Sequence, residues 1–451
     1  MKKPLLILFG GTGDLARKKL FPSLQALFDQ GKLSSPVLGV GRKPFSDEEF
    51  KKFAEINDEE FSKQVFYAIA DVSASPEVLI KKVEQLEKEF KTDGRIFYIA
   101  LGAEVFIPTL KFLEKSSLVK GNKRIALEKP FGTDLKSAVE LNKALSKIFR
   151  EEEIYRVDHY LGKELVENIL ILRFANPLFE HLWKKENIEK VEIIMAETEG
   201  IENRADYYES AGALRDVVQN HLLQVLSLVA MDPPLKFEAD QIREQKVKVM
   251  KALVPDGIVL GQYEQSVVDG KERKGYLEEK GVKPDSKTET YVELTSFVNT
   301  ERWNDVPFVI KAGKGLKKRF AEVNIIFKDV VCRYFCSDQE REGKNMLKIR
   351  IQPNPGVGIR INMKMPGFQR DPVPVWISGA HAELFGSEGI EAYVRLFKEL
   401  FLGELSVFPH WEEIEASWKF IDEVKKRAKS IPLLTYPVGS DGPKETFLKK
   451  R

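Results

Sequence analysis

Leu5-Leu6-Ile7-Leu8-Phe9-Gly10-Gly11-Thr12-Gly13-Asp14-Leu15-Ala16 joins five apolar residues to a G-x-G-x-x-A spacing and runs on into apolar residues at Leu20, Leu24 and Leu27. A short, wholly apolar run followed by glycines reads as a strand, and the later residues recur at helical spacing. Glycines between strand and helix permit a tight turn and close approach of the backbone to a ligand. The helix N-terminus that follows turns its unpaired N–H groups toward an anion. The spacing predicts a dinucleotide cradle heading a doubly wound α/β domain, formed by Gly10, Gly11, Thr12, Gly13, Asp14 and Leu15.

The next apolar run, Val37 to Val40, ends in Gly41-Arg42-Lys43. In this kind of sheet the end of the second strand lies beside the adenosine ribose, where an NAD enzyme keeps an Asp or Glu for the two ribose hydroxyls. No carboxylate follows until Asp47, beyond Pro44. A guanidinium fork and an ammonium stand there instead, both suited to a ribose 2′-phosphate. Arg42 and Lys43 therefore favour NADP, with NAD as a poorer substitute; the plainer alternative is a pair of solvated loop cations. Val65 to Ile69, Arg95 to Ala100 and Arg124 to Leu127 continue as strands, with a charged helix from Pro76 to Phe90 between the first two. The last strand leads into Glu128-Lys129-Pro130-Phe131-Gly132. Lys129 thus falls at a strand end facing the cofactor crevice, and Pro130 is a candidate cis peptide.

Further on, Tyr155-Arg156-Val157-Asp158-His159-Tyr160-Leu161-Gly162-Lys163-Glu164 packs an acid, an imidazole, a phenol and an ammonium between Asp158 and Lys163. Ile154, Tyr155 and Val157 read as a strand end, and Leu165, Val166, Ile169, Leu170 and Leu172 follow at helical spacing. The polar cluster lies at the hand-over from strand to helix, a corner where α/β scaffolds carry sites. The helix N-terminus, His159 and Lys163 together favour an anion, so a phosphorylated substrate is expected; a polar capping turn is the bland alternative.

The chain has 451 residues, which predicts two domains; with 43% hydrophobic and 10% aromatic residues, burial is ample. No Ser/Gly/Pro-rich linker separates them, so any boundary is packed. A net charge of +2 with interleaved signs gives no field that suggests nucleic acid or a membrane as partner. Met1 to Gly10 carries too short an apolar run for a signal peptide, and no stretch is long enough to span a bilayer, so a soluble cytoplasmic protein is expected. Cys332 and Cys336 lie on one face of an apparent strand, too far apart for easy bridging, and are expected to be reduced.

After Pro177 the strict alternation weakens. Val191 to Met195 reads as a strand whose continuation carries Glu197 and Glu199. Gly212-Ala213-Leu214-Arg215-Asp216-Val217-Val218-Gln219-Asn220-His221 then leads into an apolar helix, Leu222 to Val229. His221 reads either as a site residue or as a core histidine bonded to Asp216. Alternating segments at 291–294, 308–311, 322–327 and 348–351 imply a large, mainly antiparallel sheet whose exposed face suits an oligomer interface. Lys311, Lys314, Lys317, Lys318 and Arg319 cluster around Gly313 and Gly315, where one or two could reach a phosphate. Amphipathic helices from Ile390 to Phe401 and from Ile414 to Ala428 are expected to cover the sheet.

With these segments in order, the chain resembles the glucose-6-phosphate dehydrogenase family nearly end to end. Arg156 to Glu164 is similar to that family's active-site signature. Further matches are Gly10 to Ala16, Glu128 to Gly132, Arg215 to His221, Val306-Pro307-Phe308, Gly313-Lys314 and Gly439-Ser440-Asp441-Gly442-Pro443. The resemblance implies a Rossmann NADP-binding domain over 1–177 and an α+β substrate-binding and dimerisation domain over 178–451. It implies oxidation of glucose 6-phosphate at C1 to 6-phosphoglucono-1,5-lactone, with hydride transfer to NADP, as the first step of the oxidative pentose phosphate pathway. By the same resemblance His221 is the general base and Asp158 its partner, and imidazole chemistry suits the role because it titrates near working pH. His159, Tyr160 and Lys163 match phosphate ligands, while Glu197, Asp216 and Gln352 match sugar contacts. Lys314 and Arg319 match further substrate cations. Lys129 would touch both ligands, and Lys19, Arg42 and Lys43 fall near the cofactor. No metal is implied, and the self-partner is a homodimer or tetramer.

The chain departs from the family at Leu101-Gly102-Ala103-Glu104, where a Leu-Pro-Pro type turn is usual, and that loop lies by the nicotinamide. No second, structural NADP site is visible. Two other readings fit parts of the pattern. A glucose–fructose oxidoreductase-like sugar dehydrogenase shares the architecture and a Glu-Lys-Pro turn but leaves the phosphate-suited corner unexplained. A non-enzymatic NADP-sensing regulator could dispense with His221 or Asp158, and both are present.

Overall fold

The computed structural model describes residues 3–202, 204–329, 344–368, 372–387 and 389–444. Cys332 and Cys336 lie outside the described residues. Two compact units emerge, the first comprising 1–162, 234–243 and 390–415, the second 163–233, 244–389 and 416–451. The chain thus passes between units inside the Asp158–Lys163 motif, and 163–177 falls with the second unit rather than the Rossmann unit.

The first unit is built on six parallel strands, β1 (Leu5–Phe9), β2 (Val37–Gly41), β3 (Val65–Ile69), β4 (Arg95–Ile99), β5 (Lys123–Glu128) and β6 (Ile154–Val157). Their order is β3-β2-β1-β4-β5-β6, the doubly wound arrangement, and every pairing is parallel. All five residues of β1 are buried, as a central strand covered on both faces requires. The switch point lies between β1 and β4, whose C-terminal ends open at Gly10 and Ala100.

One segment does not do what its amphipathy suggested. The helix Ala392–Leu402 does not cover the large sheet; Tyr393, Val394, Leu396, Phe397 and Leu400 join the Rossmann core beside Leu20 and Leu24. Arginines pin this return to the unit. Arg124 donates to the carbonyls of Leu400 and Phe401 at 2.7 and 3.0 Å, and Arg243 donates twice to that of Phe408, at 3.0 and 2.7 Å. Periodicity shows that a helix has an apolar face, not which core receives it.

The second unit holds β7 (Ile188–Ala196), β8 (Leu253–Glu264), a hairpin of β9 (Ser266–Val268) and β10 (Lys271–Arg273), then β11 (Tyr291–Val298), β12 (Pro307–Gly313), β13 (Phe320–Phe327), β14 (Met346–Gln352), β15 (Gly356–Lys364), β16 (Pro372–Ala380) and β17 (Leu433–Pro437). Nine of them form one sheet in the order β16-β15-β14-β13-β7-β12-β11-β8-β17. Within it only the β7–β12 and β8–β17 pairings are parallel, so the sheet is mainly antiparallel. Its central strands are buried, whereas β15 and β16 leave Met363, Trp376 and Ile377 exposed. Among the described residues no helix is long and apolar enough to cross a membrane.

Candidate active site

On the first unit, Gly10 turns the chain out of β1 with φ of 84°, and a Cβ there would sit 2.3 Å from the carbonyl oxygen of Ala100. Only glycine fits that close approach. The N–H groups of Gly10 and Gly11 both donate to the Val40 carbonyl at 3.0 Å, and that of Gly13 donates to the Gly10 carbonyl at 2.9 Å, which closes the cradle. The helix beyond is wound as a π-helix over Ala16–Leu20 before becoming regular at Phe21–Asp29, a widening often found at functional segments. Asp14 is exposed and pairs with Arg17 at 3.5 Å and Lys18 at 3.8 Å, while Lys19 pairs with Glu391 at 3.6 Å.

At the end of β2, Arg42 is exposed and lies close enough to Asp71 to help hold that carboxyl below its ordinary range, after the Ser73 hydroxyl and N–H. Lys43 is committed differently: its ammonium lies over the Phe53 ring at 4.5 Å. Asp47 accepts from the Tyr67 N–H at 2.6 Å and from Lys82 at 3.0 Å, so it is already engaged by protein donors. The loop after β4 takes Gly102 in an extended conformation and closes a short 3₁₀ turn, Ala103–Val105, with the Val105 N–H donating to the Gly102 carbonyl at 3.1 Å. The missing Leu-Pro-Pro turn is thus replaced by an ordered one.

Glu128 and Lys129 end β5, and the Lys129–Pro130 bond is cis. Glu128 is buried; Tyr98 of β4 donates its phenol to it at 2.6 Å, and Tyr393 also hydrogen-bonds to it. Burial raises the Glu128 carboxyl to about 7 against the lowering by Tyr98, Tyr393 and Lys129, with Asp158 adding to the rise. After β6, buried Asp158 accepts the Tyr160 N–H on its carboxylate at 2.9 Å and the Leu161 N–H on its carbonyl at 3.1 Å, an Asx-type turn that sets the corner. The half-buried His159 ring lies edge-on to Tyr160, centroids 5.1 Å apart, and parallel to Tyr393 at 6.3 Å. Gly162 is required by contact: a Cβ there would be 2.6 Å from the Ala392 carbonyl.

On the second unit, Lys163 caps the helix Glu164–Phe174 and donates to the Gln352 side-chain carbonyl at 3.0 Å, so these two expected substrate residues meet. Gln352 ends β14 and its bond to Pro353 is also cis, which the sequence reading did not anticipate. Lys314 is buried, bonded to Glu197 at 2.5 Å and lying 5.6 Å over the Tyr208 ring. Arg319 and Glu199 pair at 3.2 Å on a more exposed rim. Burial alone would raise Glu199, but its backbone hydrogen bond and Arg319 together hold it below the ordinary carboxylate range.

Asp216 and His221 are both buried on a π-helical segment, Leu214–Leu222, entered through Gly212 at φ of 61° and continued as the α-helix Leu223–Ala230. Tyr207 donates to Asp216 at 3.0 Å. Two further polar residues of this stretch bond to the scaffold. Gln219 donates to Ser417 at 3.0 Å and Asn220 to the Arg215 carbonyl at 2.9 Å. Sequence reasoning missed Tyr98, Glu128, Tyr207 and Tyr393. Glu128 carried a signal, a carboxylate closing a buried strand beside Lys129, whereas Tyr393 arrives from a distant helix with none.

A family profile described as "Glucose-6-phosphate dehydrogenase, NAD binding domain" matches residues 7–168, and one described as "Glucose-6-phosphate dehydrogenase, C-terminal domain" matches residues 170–449. A curated glucose-6-phosphate 1-dehydrogenase from Bacillus subtilis is 37% identical over 471 residues, covering 98% of this chain and 96% of its own. Another from Borreliella burgdorferi is 39% identical over 462 residues, covering 98% and 95%. A solved glucose-6-phosphate dehydrogenase in complex with its substrate glucose-6-phosphate superposes with a TM-score of 0.91 at 35% identity, covering 98% of this chain and 96% of that one.

Proposed function

The chain belongs to the glucose-6-phosphate dehydrogenase family, and from that premise we propose which of its residues carry out the family's reaction. It oxidises glucose 6-phosphate at C1 to the 6-phosphoglucono-1,5-lactone, with hydride transfer to a nicotinamide cofactor. The observation that carries this conclusion is the end-to-end match to an enzyme solved with that substrate.

Carbonyl character develops at C1 only as the hydroxyl proton leaves. We assign its removal to His221, with Asp158 stabilising the imidazolium that results; a buried carboxylate and a buried imidazole suit that pairing. His159, Tyr160 and Lys163 hold the phosphate, and Gln352 orients Lys163 while reaching the sugar. Glu197 and Asp216 accept from sugar hydroxyls. Lys314 and Arg319 add positive charge, and Lys129, beside the cradle strand ends, serves both ligands. We assign the glycine turn at Gly10 to Leu15, with Lys19, to the pyrophosphate, the role that a glycine turn between the first strand and its helix takes in a doubly wound sheet. When bound, the nicotinamide supplies the hydride acceptor.

For the cofactor, NADP is the finer proposal. Arg42 is exposed at the end of β2, and Asp47, the first carboxylate after it, is already engaged by Tyr67 and Lys82. Lys43, turned onto Phe53, is the weaker half of the pair. Replacing Arg42 by Ala should weaken NADP binding about tenfold and NAD binding little, as for loss of one charge-assisted contact. Unchanged NADP affinity would remove this argument. We also propose a homodimer formed through the exposed apolar residues of β15 and β16, checked by sedimentation. Cytoplasmic residence completes the reading and is checked by cell fractionation. Absorbance assays with glucose 6-phosphate and each cofactor test the activity itself; reduction of neither would overturn it.

A further inference from the structure

Glu128 ends β5 with its carboxyl buried between two phenols that come from distant parts of the chain, Tyr98 on β4 and Tyr393 on the returning helix. Tyr393 is held at its backbone as well, since its N–H donates to Glu391 at 2.7 Å. Glu391 in turn accepts from Ser23 at 3.1 Å and pairs with Lys19 at 3.6 Å. The Tyr393 ring lies parallel to His159, 6.3 Å between centroids. A chain of contacts therefore runs from the Glu128 carboxyl through Tyr393 to a proposed phosphate ligand.

We propose that Glu128 is a positioning residue for the phosphate-holding side chains, fixing Tyr393 and through its ring the orientation of His159. The inference rests on the assignment of His159 and Tyr160 to the substrate phosphate. Burial pushes the phenols of Tyr98 and Tyr393 well above their ordinary range, so both keep their protons and both can donate to an ionised Glu128. The groups that act most strongly on Glu128 are Tyr98, Tyr393, Lys129 and Asp158, with Glu391 acting on both phenols and His159 lying against the Tyr393 ring. Of the first four only Lys129 is a cation, and burial brings Glu128 to about 7.

A proton on Glu128 changes the hydrogen-bond count. The neutral carboxyl must place its own O–H, so one phenol ceases to donate to it and becomes an acceptor, with its own hydrogen free to turn elsewhere. A phosphate dianion at His159 adds negative charge to a cluster that already holds Glu128, Asp158 and Glu391. Binding should then favour neutral Glu128 and take up a proton, so substrate affinity weakens as pH rises through neutrality.

Steady-state kinetics of the full-length enzyme over roughly pH 6 to 9 test this. Glu128→Gln keeps the volume and removes the titration. It should flatten the rise of the Michaelis constant for glucose 6-phosphate, differing from the wild type by about five- to tenfold across the range, with kcat within about threefold. Tyr393→Phe removes a hydrogen bond that favours the ionised carboxylate and should move the rise to higher pH. A Glu128→Gln profile that follows the wild type at every pH overturns the proposal, as does a fall in kcat with the Michaelis constant unmoved. Should Glu128→Gln fail to fold, Tyr393→Phe decides: a rise left at the wild-type pH overturns the proposal. His159→Ala separates the two layers. If it leaves the Michaelis constant unchanged, the phosphate assignment itself has failed; if it raises the constant while the other two variants do nothing, only the role of Glu128 falls.

Discussion

Two carboxylates on each unit differ in their partners. On the Rossmann unit, Glu128 and Asp158 are buried against phenols and backbone N–H groups. On the sheet unit, Glu197 and Glu199 are paired with Lys314 and Arg319. A phenol donates a hydrogen bond but brings no charge, so it offsets little of the cost of burying an anion; buried Glu128 rises to about 7, while the more exposed Glu199 is held below its ordinary range by a backbone hydrogen bond and by Arg319. Glu128 is thus poised to exchange a proton near neutrality, whereas Lys314–Glu197 and Arg319–Glu199 are ion pairs, which suits the orientation of a polar sugar.

The largest effect is expected at the proposed proton acceptor, His221, which belongs to the sheet unit together with the ion-paired carboxylates. His221→Asn should lower kcat roughly 10²- to 10⁴-fold with the Michaelis constant for glucose 6-phosphate nearly unchanged, the pattern for a lost general base. Lys163→Ala should do the reverse, the outcome expected of the phosphate-holding role proposed for it. Initial rates at saturating and limiting substrate separate the two. Equal turnover in wild type and His221→Asn would remove the base from the mechanism.

On the sheet side, Lys314→Met strands the Glu197 carboxylate, although Glu197 keeps 22% of its side chain exposed, which softens the penalty. A loss on the order of 3 kcal/mol is expected, at the low end for a broken buried pair. Denaturant unfolding measures it. Lys314→Met together with Glu197→Leu should recover much of the loss, because no uncompensated charge remains.

The stability of the Rossmann side should depend on pH with a definite sign. Glu128 has an ordinary value of 4.5 and a folded value of about 7, so the unfolded chain releases its proton first on raising the pH. Its contribution is full below the lower value and is lost as pH rises through the upper one. Between roughly pH 5.5 and 7.5 the loss is about 2 kcal/mol, an order-of-magnitude figure from the shift itself. Thermal unfolding of wild type against Glu128→Gln isolates it: the variant's melting temperature should fall less over that window. A steeper fall in the variant contradicts phenol-partnered burial.

Much of this arrangement was legible in the chain. The apolar run before Gly10, the strand ends at Arg42 and Lys129, and the Asp158–Lys163 corner announce themselves by pattern because strand, turn and helix have different periods. The large mixed sheet was legible for the same reason. What was hidden depends on long-range packing. Tyr393 reaches His159 and Glu128 from a helix whose amphipathy looks like any other, and its destination was misjudged. The unit division inside the motif, after Gly162, follows from packing of Lys163 and its helix, which no local pattern encodes. The π-helical winding at Leu214–Leu222 is likewise invisible to spacing, since its residues suit an α-helix as well.

The smallest effect belongs to the rim pair. Arg319 and Glu199 leave 58% and 42% of their side chains in solvent, so water and salt screen their attraction and two long side chains lose freedom in making it. Arg319→Ala should therefore cost less than about 1 kcal/mol of stability, and that little should shrink as salt is raised. Substrate binding is a different matter, because a phosphorylated sugar nearby would replace water with charge; a modest rise in the Michaelis constant is expected with kcat intact. Melting temperatures in low and high salt, set beside Lys314→Met, place the two pairs on one scale. The comparison requires the buried pair to dominate stability and the rim pair to matter chiefly when substrate is present. A reversed order, with Arg319→Ala the more destabilising, would mean that burial is not what separates the two cations, and the account of the sheet side's ion pairs would fail with it.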